Sequence, residues 1–403
     1  MTDFLINDKK LHLWGGFLLI SILFFPDIHL SQSLPAFQVV DLTLPFTTLL
    51  IFLQRKRLKI HSYYLVFIVF AAYVSITMAI NGRLSVVADY FEIYKLLKFL
   101  ILIMFFSLLE YKTFTKQWMK FLFITLAVVN ILHFYNVFGF HDLLYKIYGG
   151  INLEYFGLNS LKEPATKRMT GPAGNPNINA LIFAFFTIYF LPLKFNLKQF
   201  AWFVTASLLV LICQSRTAIL GLTLLLPIIL ILKLSNWNWK NWLLILATLS
   251  GLYLISWGIT TDFYVQKAYT NNVVSGSATG RIATWKYLFE MIREHPIFGH
   301  GVNKAFFYKN ELYSENEYIL MAWRYGAIGL LLYLLILFIP LKAYIWCKQR
   351  TEEKSRAILF LCLILLVAIT NNPLQDRTGM MLTAIIIGVI WPFSKQEKTR
   401  IDD

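Results

Sequence analysis

Charged residues are scarce in this chain, whereas long apolar runs are frequent. Only 15% of the 403 residues are charged, 58% are hydrophobic, and the mean hydropathy is +0.60. A soluble chain of this length carries more charge, and polar positions at helical spacing interrupt its apolar runs. Here the runs repeatedly reach the ~20 residues that cross a bilayer. The composition excludes an ordinary soluble enzyme and predicts an all-α, polytopic integral membrane protein.

Several patterns that indicate particular chemistries are also missing. The three cysteines, Cys213, Cys347 and Cys362, lie in or beside apolar runs and show neither metal-ligand spacing nor a disulfide framework. The sequence has no glycine-rich nucleotide cradle, no Asp-x-Asp pair and no cluster of metal ligands. We therefore expect no metal, no cofactor and no sugar-nucleotide donor.

The net charge of +15 does not point to nucleic acid as a partner. In membrane proteins Lys and Arg collect in the short cytoplasmic loops, which face anionic lipid. The first apolar run follows Lys9 and Lys10 and has no small-residue cleavage site after it. We therefore interpret that run as the first transmembrane helix rather than as a signal peptide.

Basic residues recur in alternate short loops, which sets the expected topology. Residues 55–59 and 348–356 are rich in Lys and Arg, whereas residues 29–37 contain neither. The alternation places both termini in the cytoplasm. We predict about twelve transmembrane helices. Their approximate centres are Leu19, Phe46, Ala71, Ile101, Ile124, Phe186, Leu208, Leu225, Ala247, Leu332, Ile364 and Ile386.

Two long loops then lie outside the membrane, at 139–177 and 261–316. The chain divides into residues 1–260 with the first nine helices, the large periplasmic loop 261–316, and residues 317–403 with the last three helices and a cytoplasmic tail. Loops of this length are usually functional or disordered. The second one carries apolar residues at helical spacing, which predicts an amphipathic helix on the membrane surface or on the helix bundle. These residues are Ile282, Trp285, Leu288, Phe289 and Ile292.

Arginines on the outer side are the main candidates for ligand binding. Arg216 lies where two apolar runs meet; a charge there is costly and faces a polar cavity or a partner, or else snorkels from a helix end. Arg281 follows Gly280 at the predicted start of the amphipathic helix, where backbone N–H groups suit a phosphate, although a lone loop arginine can simply be solvated. Lys167 with Arg168, and Arg377, are weaker candidates. Together Arg168, Arg216 and Arg281 suit a diphosphate.

Carboxylates beside the next apolar run are candidates for a general base. Glu315 stands at the mouth of that run and is suited to deprotonate a sugar hydroxyl, to hold an arginine, or to pair with Arg324 or Lys309. Glu317 is equally close in the sequence. His295 and His300 flank Pro296 and Gly299, which is typical of a turn.

The order of these motifs resembles the O-antigen polymerase and ligase superfamily. The resemblance rests on Arg168, Gly171 and Asn175-Pro176-Asn177, then on Gln214-Ser215-Arg216-Thr217-Ala218. It continues with Gly280-Arg281 and Trp285, with His295-Pro296-Ile297-Phe298-Gly299-His300-Gly301, and with Asn316 followed by Gly326-Ala327-Ile328-Gly329. Motifs cover residues 168–329. The span count and the long outer loop extend the resemblance over the whole chain.

The resemblance implies a metal-independent, inverting glycosyltransferase on the periplasmic face of the bacterial inner membrane. Its donor would be an undecaprenyl-diphosphate-linked glycan and its acceptor a second glycan, with membrane lipids and a chain-length regulator as further partners. Arg216 and Arg281 would bind the diphosphate with help from Arg168 and Asn316, and Glu315 would act on the acceptor.

Polymerisation of O-antigen or other surface-polysaccharide repeat units is the favoured activity. In the ligases of the family a histidine precedes the Gly-x-x-Gly element, and this chain has Glu315 at that position. The alternatives are a ligase that transfers the glycan to lipid A core and a transporter or exporter of a small anion or glycan. A transporter predicts polar residues within spans and paired discontinuous helices. Lys95 and Lys98 are the main such residues here.

Overall fold

The computed structural model describes residues 7–26, 37–58, 61–148, 168–192, 196–233, 273–310, 314–345 and 351–390, together with residues 243, 251 and 312. These residues form α-helices joined by turns, without a β-strand among them, which confirms the all-α prediction for this part of the chain. The helices are α1 (Asp8–Phe24), α2 (Val39–Leu53), α3 (Tyr63–Ile80), α4 (Val87–Ser107), α5 (Tyr111–Phe134), α6 (Phe140–Tyr148), α7 (Pro176–Tyr189), α8 (Leu197–Ile212), α9 (Arg216–Lys233), α10 (Val273–Glu294), α11 (Lys304–Lys309), α12 (Glu317–Ile345), α13 (Glu352–Val367) and α14 (Arg377–Ile390).

Three helices of the described residues are long and apolar enough to cross a membrane: Tyr63–Ile80, Thr113–Phe134 and Glu317–Ile345. Shorter apolar helices stand at other predicted spans, including α2, α7 and α8. Each predicted centre except Ala247 falls inside a helix, and Ala247 lies outside the described residues. The count of about twelve spans therefore stays a prediction.

The chain forms two compact units. The first comprises residues 1–118, 282–361 and 368–403, and the second comprises residues 119–281 and 362–367. In the first unit α4 packs against α14 and α3, and α3 packs against α12. Edge-to-face aromatic pairs join these helices, such as Phe67 with Phe99 and Phe70 with Tyr325.

The second unit is centred on α7, which packs against α8 and α9. α7 is apolar on nearly all sides and almost fully buried, as expected of a helix enclosed by others. Asn175 caps its N-terminus by accepting hydrogen bonds from the backbone N–H groups of Asn177 and Ile178. The cap fixes where α7 begins and thus holds the preceding segment, which carries Arg168, at that end of the helix.

Candidate functional site

The turn between α8 and α9 presents Arg216 in the second unit. α8 ends at Ile212 and α9 begins at Arg216, so almost no loop separates the two apolar helices, as predicted. Gln214 adopts a left-handed φ of 52°, and the buried Ser215 accepts the first hydrogen bond of α9 from Ile219 N at 3.0 Å. Arg216 is exposed at this helix N-terminus. The positive end of the helix dipole disfavours a cation there and favours a bound anion.

Arg168 contacts the same turn from the segment before α7. Its Nε donates to the carbonyl of Cys213 at 3.1 Å. Its Nη2 donates to the carbonyl of Gln214 at 3.1 Å and to Oδ1 of Asn177 at 2.8 Å. The last carbonyls of a helix have no partner within it, and a guanidinium satisfies them well. Arg168 thus ties its own segment to the turn that carries Arg216.

The three predicted arginines lie near one another in the second unit. Burial, followed by the positive charges of Arg216 and Arg281, lowers the pKa of Arg168 to about 10, while Cys213 acts in the opposite direction. Arg168 therefore remains charged at neutral pH. Arg168 thus lies within electrostatic range of both Arg216 and Arg281. The three guanidinium groups come from separate stretches of sequence, and such a grouping suits a multiply charged anion.

Arg281 does not stand at the start of the amphipathic helix, which corrects the sequence-based expectation. α10 begins at Val273, so Arg281 lies in its third turn and the N–H groups around it belong to the helix interior. Gly276 and Gly280 weaken a helix by about 1 kcal/mol each but do not end it, and no proline interrupts the stretch. The helix N-terminus that lies beside Arg168 is instead that of α9, which begins at Arg216.

The predicted amphipathic helix packs on the bundle of the first unit. Leu288 is fully buried and forms a cluster with Ile319 and Trp323 of α12. Trp285 packs against this cluster and donates its indole N–H to the carbonyl of Ser314 at 2.6 Å. Of the two predicted positions for this helix, the membrane surface or the bundle, the structure shows the second for Trp285, Leu288 and Ile292. Ile282 and Phe289 of the same predicted face are exposed.

Glu315 is held in a constrained loop of the first unit. Its backbone has a left-handed φ of 41°, which is uncommon for a residue with a side chain. Ser314 before it is held by Trp285, and Asn316 after it caps α12, since its Oδ1 accepts from Ile319 N at 3.0 Å. The side chain is partly exposed. The sequence-predicted candidate Asn316 is buried, and its carbonyl oxygen is occupied by the helix cap.

Glu317 is inaccessible, although it is only two positions further along the chain. Its side chain is 0% exposed, and Oε2 accepts a hydrogen bond from Leu374 N at 3.0 Å. Its backbone N–H donates to the carbonyl of Ala368 at 2.9 Å. Glu317 therefore anchors α12 to the segment between α13 and α14, whereas Glu315 is partly exposed.

The His-Pro-Ile-Phe-Gly-His-Gly motif docks onto a break in α12. Gly326 interrupts that helix with φ 62° and ψ −165°. The freed carbonyls of Trp323 and Arg324 accept hydrogen bonds from the N–H groups of His300 (2.9 Å) and Gly301 (2.8 Å). The predicted turn at 295–300 is confirmed, and it supplies backbone hydrogen-bond partners for the groups that the break in α12 leaves open.

Both histidines of this motif serve the docked turn. The His300 ring stacks on Trp323 with centroids 4.8 Å apart and bonds the carbonyl of Met291 at 2.9 Å. It also meets His295 edge-to-face. Burial lowers the pKa of His300, with the Met291 carbonyl acting in the opposite direction. The structure thus gives the His300 ring packing and hydrogen-bond partners beside the docked turn and leaves it partly exposed.

A buried ion cluster in the first unit accounts for the charges within apolar helices. Glu92 pairs with Lys304 at 2.8 Å and with Lys95 at 3.0 Å, and Arg324 approaches it at 3.6 Å. Gln375 accepts from Lys95 at 2.7 Å and from Arg324 at 3.1 Å. Arg324 is therefore an ion-pair partner of Glu92. Lys95 also pairs with Glu92 and is part of the same buried cluster.

Lys98, the other lysine of α4, is also paired with a carboxylate. The cavity beside the ion cluster is small. Lys98 contacts Asp41 of α2 at 2.8 Å. The cavity beside Glu92 and Lys95 has a volume of ≈ 40 Å³. That is room for a few water molecules, far below the volume of a pocket for a drug-sized ligand.

Sequence reasoning missed two buried asparagines of the second unit, Asn130 and Asn179. Asn130 lies within the apolar stretch 126–132 and Asn179 directly precedes the apolar stretch 180–186, and a polar residue at such a place is the signal that identifies them. Among the weaker candidates, Arg377 begins α14 and Lys167 lies outside the described residues. Within the described residues, no group of three or more metal-ligand side chains is present.

Residues 201–334 match the family model described as O-antigen ligase. The matched segment includes Arg216, Arg281, Glu315 and Gly326, which are the residues that the sequence and the geometry single out. It begins after Arg168 and α7. No curated protein matched the chain.

Proposed function

We propose that this membrane protein, whose residues 201–334 belong to the O-antigen polymerase and ligase superfamily, polymerises undecaprenyl-diphosphate-linked oligosaccharide repeat units. The growing glycan on one lipid would be transferred to the non-reducing sugar of another on the periplasmic face of the inner membrane. The family match supports a glycosyltransferase-like enzyme acting on lipid-linked glycans. The choice of polymerisation, the donor lipid and the membrane face are parts of the proposal.

The observation that carries the proposal is the grouping of Arg168, Arg216 and Arg281. Arg168 lies within electrostatic range of the other two arginines, and its guanidinium group hydrogen-bonds the turn that carries Arg216. Guanidinium groups match phosphate oxygens with paired N–H donors. The N-terminus of α9 adds the positive end of its dipole. A diphosphate is the anion that such an arrangement suits best.

The same arrangement supplies the chemistry of glycosyl transfer. The acceptor hydroxyl oxygen attacks the anomeric carbon, and the bond from that carbon to the diphosphate oxygen breaks. Negative charge then develops on undecaprenyl diphosphate, and the arginines stabilise it without a metal. Glu315 would take the proton of the attacking hydroxyl. A single direct displacement inverts the configuration of the anomeric carbon.

Transfer of the glycan to lipid A core is the second candidate, because the matching family model is described as O-antigen ligase. Glu315 favours polymerisation, since the ligases that this chain resembles have a histidine at that position. Purified protein with the lipid-linked donor is incubated with lipid A core. A capped core indicates a ligase, and a lengthened lipid-linked glycan indicates a polymerase.

Replacing the arginines tests the proposal. We expect Arg216→Ala and Arg281→Ala each to lower polymer formation by about a hundredfold or more, because each removes charge stabilisation from the leaving group. Arg293→Ala is the control, since Arg293 lies on the same helix as Arg281, is largely exposed and pairs with Glu290. The readout is the ladder of surface polysaccharide on a gel, with protein level measured in parallel. An unchanged ladder at normal protein level in either site variant contradicts the proposal.

A further inference from the structure

Asn179 joins four segments of the second unit through one side chain. Its Nδ2 donates to Oδ1 of Asn130 on α5 at 2.7 Å and to the carbonyl of Met169 at 3.0 Å. It also lies 3.4 Å from Sγ of Cys213, at the end of α8. Asn179 and Asn130 are both 0% exposed. A buried amide group that bonds several segments fixes their relative positions, since each lost hydrogen bond leaves a buried polar atom unpaired.

The residue next to Met169 is Arg168, and the residues after Cys213 lead to Arg216. The backbone N–H of Met169 donates to the carbonyl of Ile212 at 3.3 Å, which adds a direct bond between the two segments. The positions of Arg168 and Arg216 relative to one another thus depend on contacts made immediately beside both residues.

Asn130 is closely enclosed on the side opposite its own helix. It donates to the carbonyl of Leu126 within α5 at 2.9 Å. Gly171 lies so near that a Cβ there would approach Oδ1 of Asn130 to 2.1 Å, and its φ of +51° also requires glycine. The Asn130 amide is therefore held by the Leu126 carbonyl on one side and by the backbone at Gly171 on the other. Asn179 is in turn positioned by its hydrogen bond to Asn130.

We infer that Asn179, which is hydrogen-bonded to Asn130, is a positioning residue for the diphosphate site. It sets the distance between Arg168 and Arg216 and does not contact the substrate. The inference rests on the proposed function. The oxygens of a diphosphate span a limited range of distances. A change in the distance between Arg168 and Arg216 therefore weakens binding of the donor. Because the acceptor glycan does not bind the arginines, its affinity stays as it is.

Kinetics with purified full-length protein in lipid vesicles test the inference. Asn179→Asp keeps the shape of the side chain but turns the donor into an acceptor facing the oxygens of Asn130 and Met169. We expect the KM for the undecaprenyl-diphosphate-linked donor to rise between about tenfold and about a hundredfold, with the KM for the acceptor unchanged. Thr187→Val is the matched control, since Thr187 is buried on the same helix and its hydroxyl donates to the carbonyl of Phe183 within that helix.

Direct binding measurements distinguish failure of the proposed function from failure of the positioning role of Asn179. Undecaprenyl diphosphate and inorganic pyrophosphate are the probes, and the affinity of each is compared between wild type and variant. If the wild-type protein neither binds undecaprenyl diphosphate nor lengthens the glycan, the proposed function is wrong. If the wild type does both and Asn179→Asp keeps the wild-type donor KM, or raises both KM values equally, only the positioning role is wrong.

A second variant keeps the test decisive where Asn179→Asp does not accumulate as folded protein. Asn130→Ala removes the acceptor from the other side of the pair and carries the same donor-specific expectation. Asn179→Ala is made alone and in combination with Asn130→Ala. The donor KM of the double variant is expected to rise no more than that of the more affected of these two single variants, because the two side chains act as one unit. Additive losses contradict the pairing.

Discussion

Two glutamates that the sequence does not distinguish have different environments in the structure. Glu315 is partly exposed with a left-handed φ of 41°, and its neighbours are held by Trp285 and by the helix cap of Asn316. Glu317 is fully buried and bonded to the backbone of Leu374. Strained residues cluster at functional sites when their surroundings hold them in place. A general base must reach its substrate, and Glu315 is the more exposed of the two glutamates, which is why we propose it as the base.

Matched amide variants separate the two carboxylates. We expect Glu315→Gln to lower kcat between about a hundredfold and about ten-thousandfold, the contribution typical of a general base, while the donor KM stays unchanged. Glu317→Gln retains an oxygen for Leu374 N, so turnover per folded molecule should stay close to wild type. Steady-state kinetics with the lipid-linked donor measure both. Equal losses in the two variants, or full turnover in Glu315→Gln, would show that Glu315 is not the base.

At the scale of elements, the interrupted helix α12 explains two glycine motifs at once. Gly299 and Gly326 both have a positive φ, and their backbones pack directly against each other: a Cβ on Gly299 would lie 2.6 Å from Gly326 N. The turn between α10 and α11 thereby supplies the hydrogen bonds that the break in α12 leaves open. A transporter would be expected to pair two discontinuous helices across a site. Here the break is filled by the chain's own turn.

Alanine at Gly326 is expected to weaken this docking. The φ and ψ of Gly326 lie in a region almost restricted to glycine, and a Cβ would approach the Ile297 carbonyl oxygen to 2.1 Å. Gly82→Ala is the control, since Gly82 also has a positive φ but has no atom within 4 Å of its Cβ position. We expect Gly82→Ala to cost about 1–2 kcal/mol and Gly326→Ala about 1–3 kcal/mol more. Thermal melting in one detergent ranks them, and the reverse order would refute the docking.

At the scale of the whole molecule, charge placement and helix packing follow from the membrane environment. Charges within apolar helices are paired, as Lys98 is with Asp41 and Glu92 with Lys95 and Lys304. An unpaired charge in a low-dielectric interior costs several kcal/mol, so these pairs must form together. Basic residues recur in alternate short loops, such as residues 55–59 and 348–356. This distribution is the basis for the predicted topology, with both termini in the cytoplasm.

Cysteine labelling checks the topology. Glu290→Cys, at an exposed position of α10, should react with a membrane-impermeant maleimide applied to intact spheroplasts. Lys56→Cys, exposed in the basic loop after α2, should react only after the membrane is broken. The unsubstituted chain gives the background, in which Cys213 is buried. Labelling of Lys56→Cys in intact spheroplasts, or its absence at Glu290→Cys, would invert the assigned orientation.

Much of the fold and part of the candidate site follow from the sequence by itself. Apolar runs of span length must become helices, since the bilayer offers no other partner for backbone N–H and C=O groups. Arg216 stands out because a charge is costly beside such runs. Arg168 and Arg281 stand out beside glycines in the two long outer loops. Glu315 is identified by its place at the mouth of the next run. These conclusions need only local composition and spacing.

Only the tertiary structure decided which of these residues act together and how they are held. The start of α10 eight positions before Arg281 required knowing that its glycines would not end the helix. The role of Asn179 depends on Asn130, 49 positions away, and the accessibility of Glu315 over Glu317 depends on Leu374, 57 positions from Glu317. Hydrogen bonds and burial between such distant segments arise only when the helices pack, so no local pattern in the sequence specifies them.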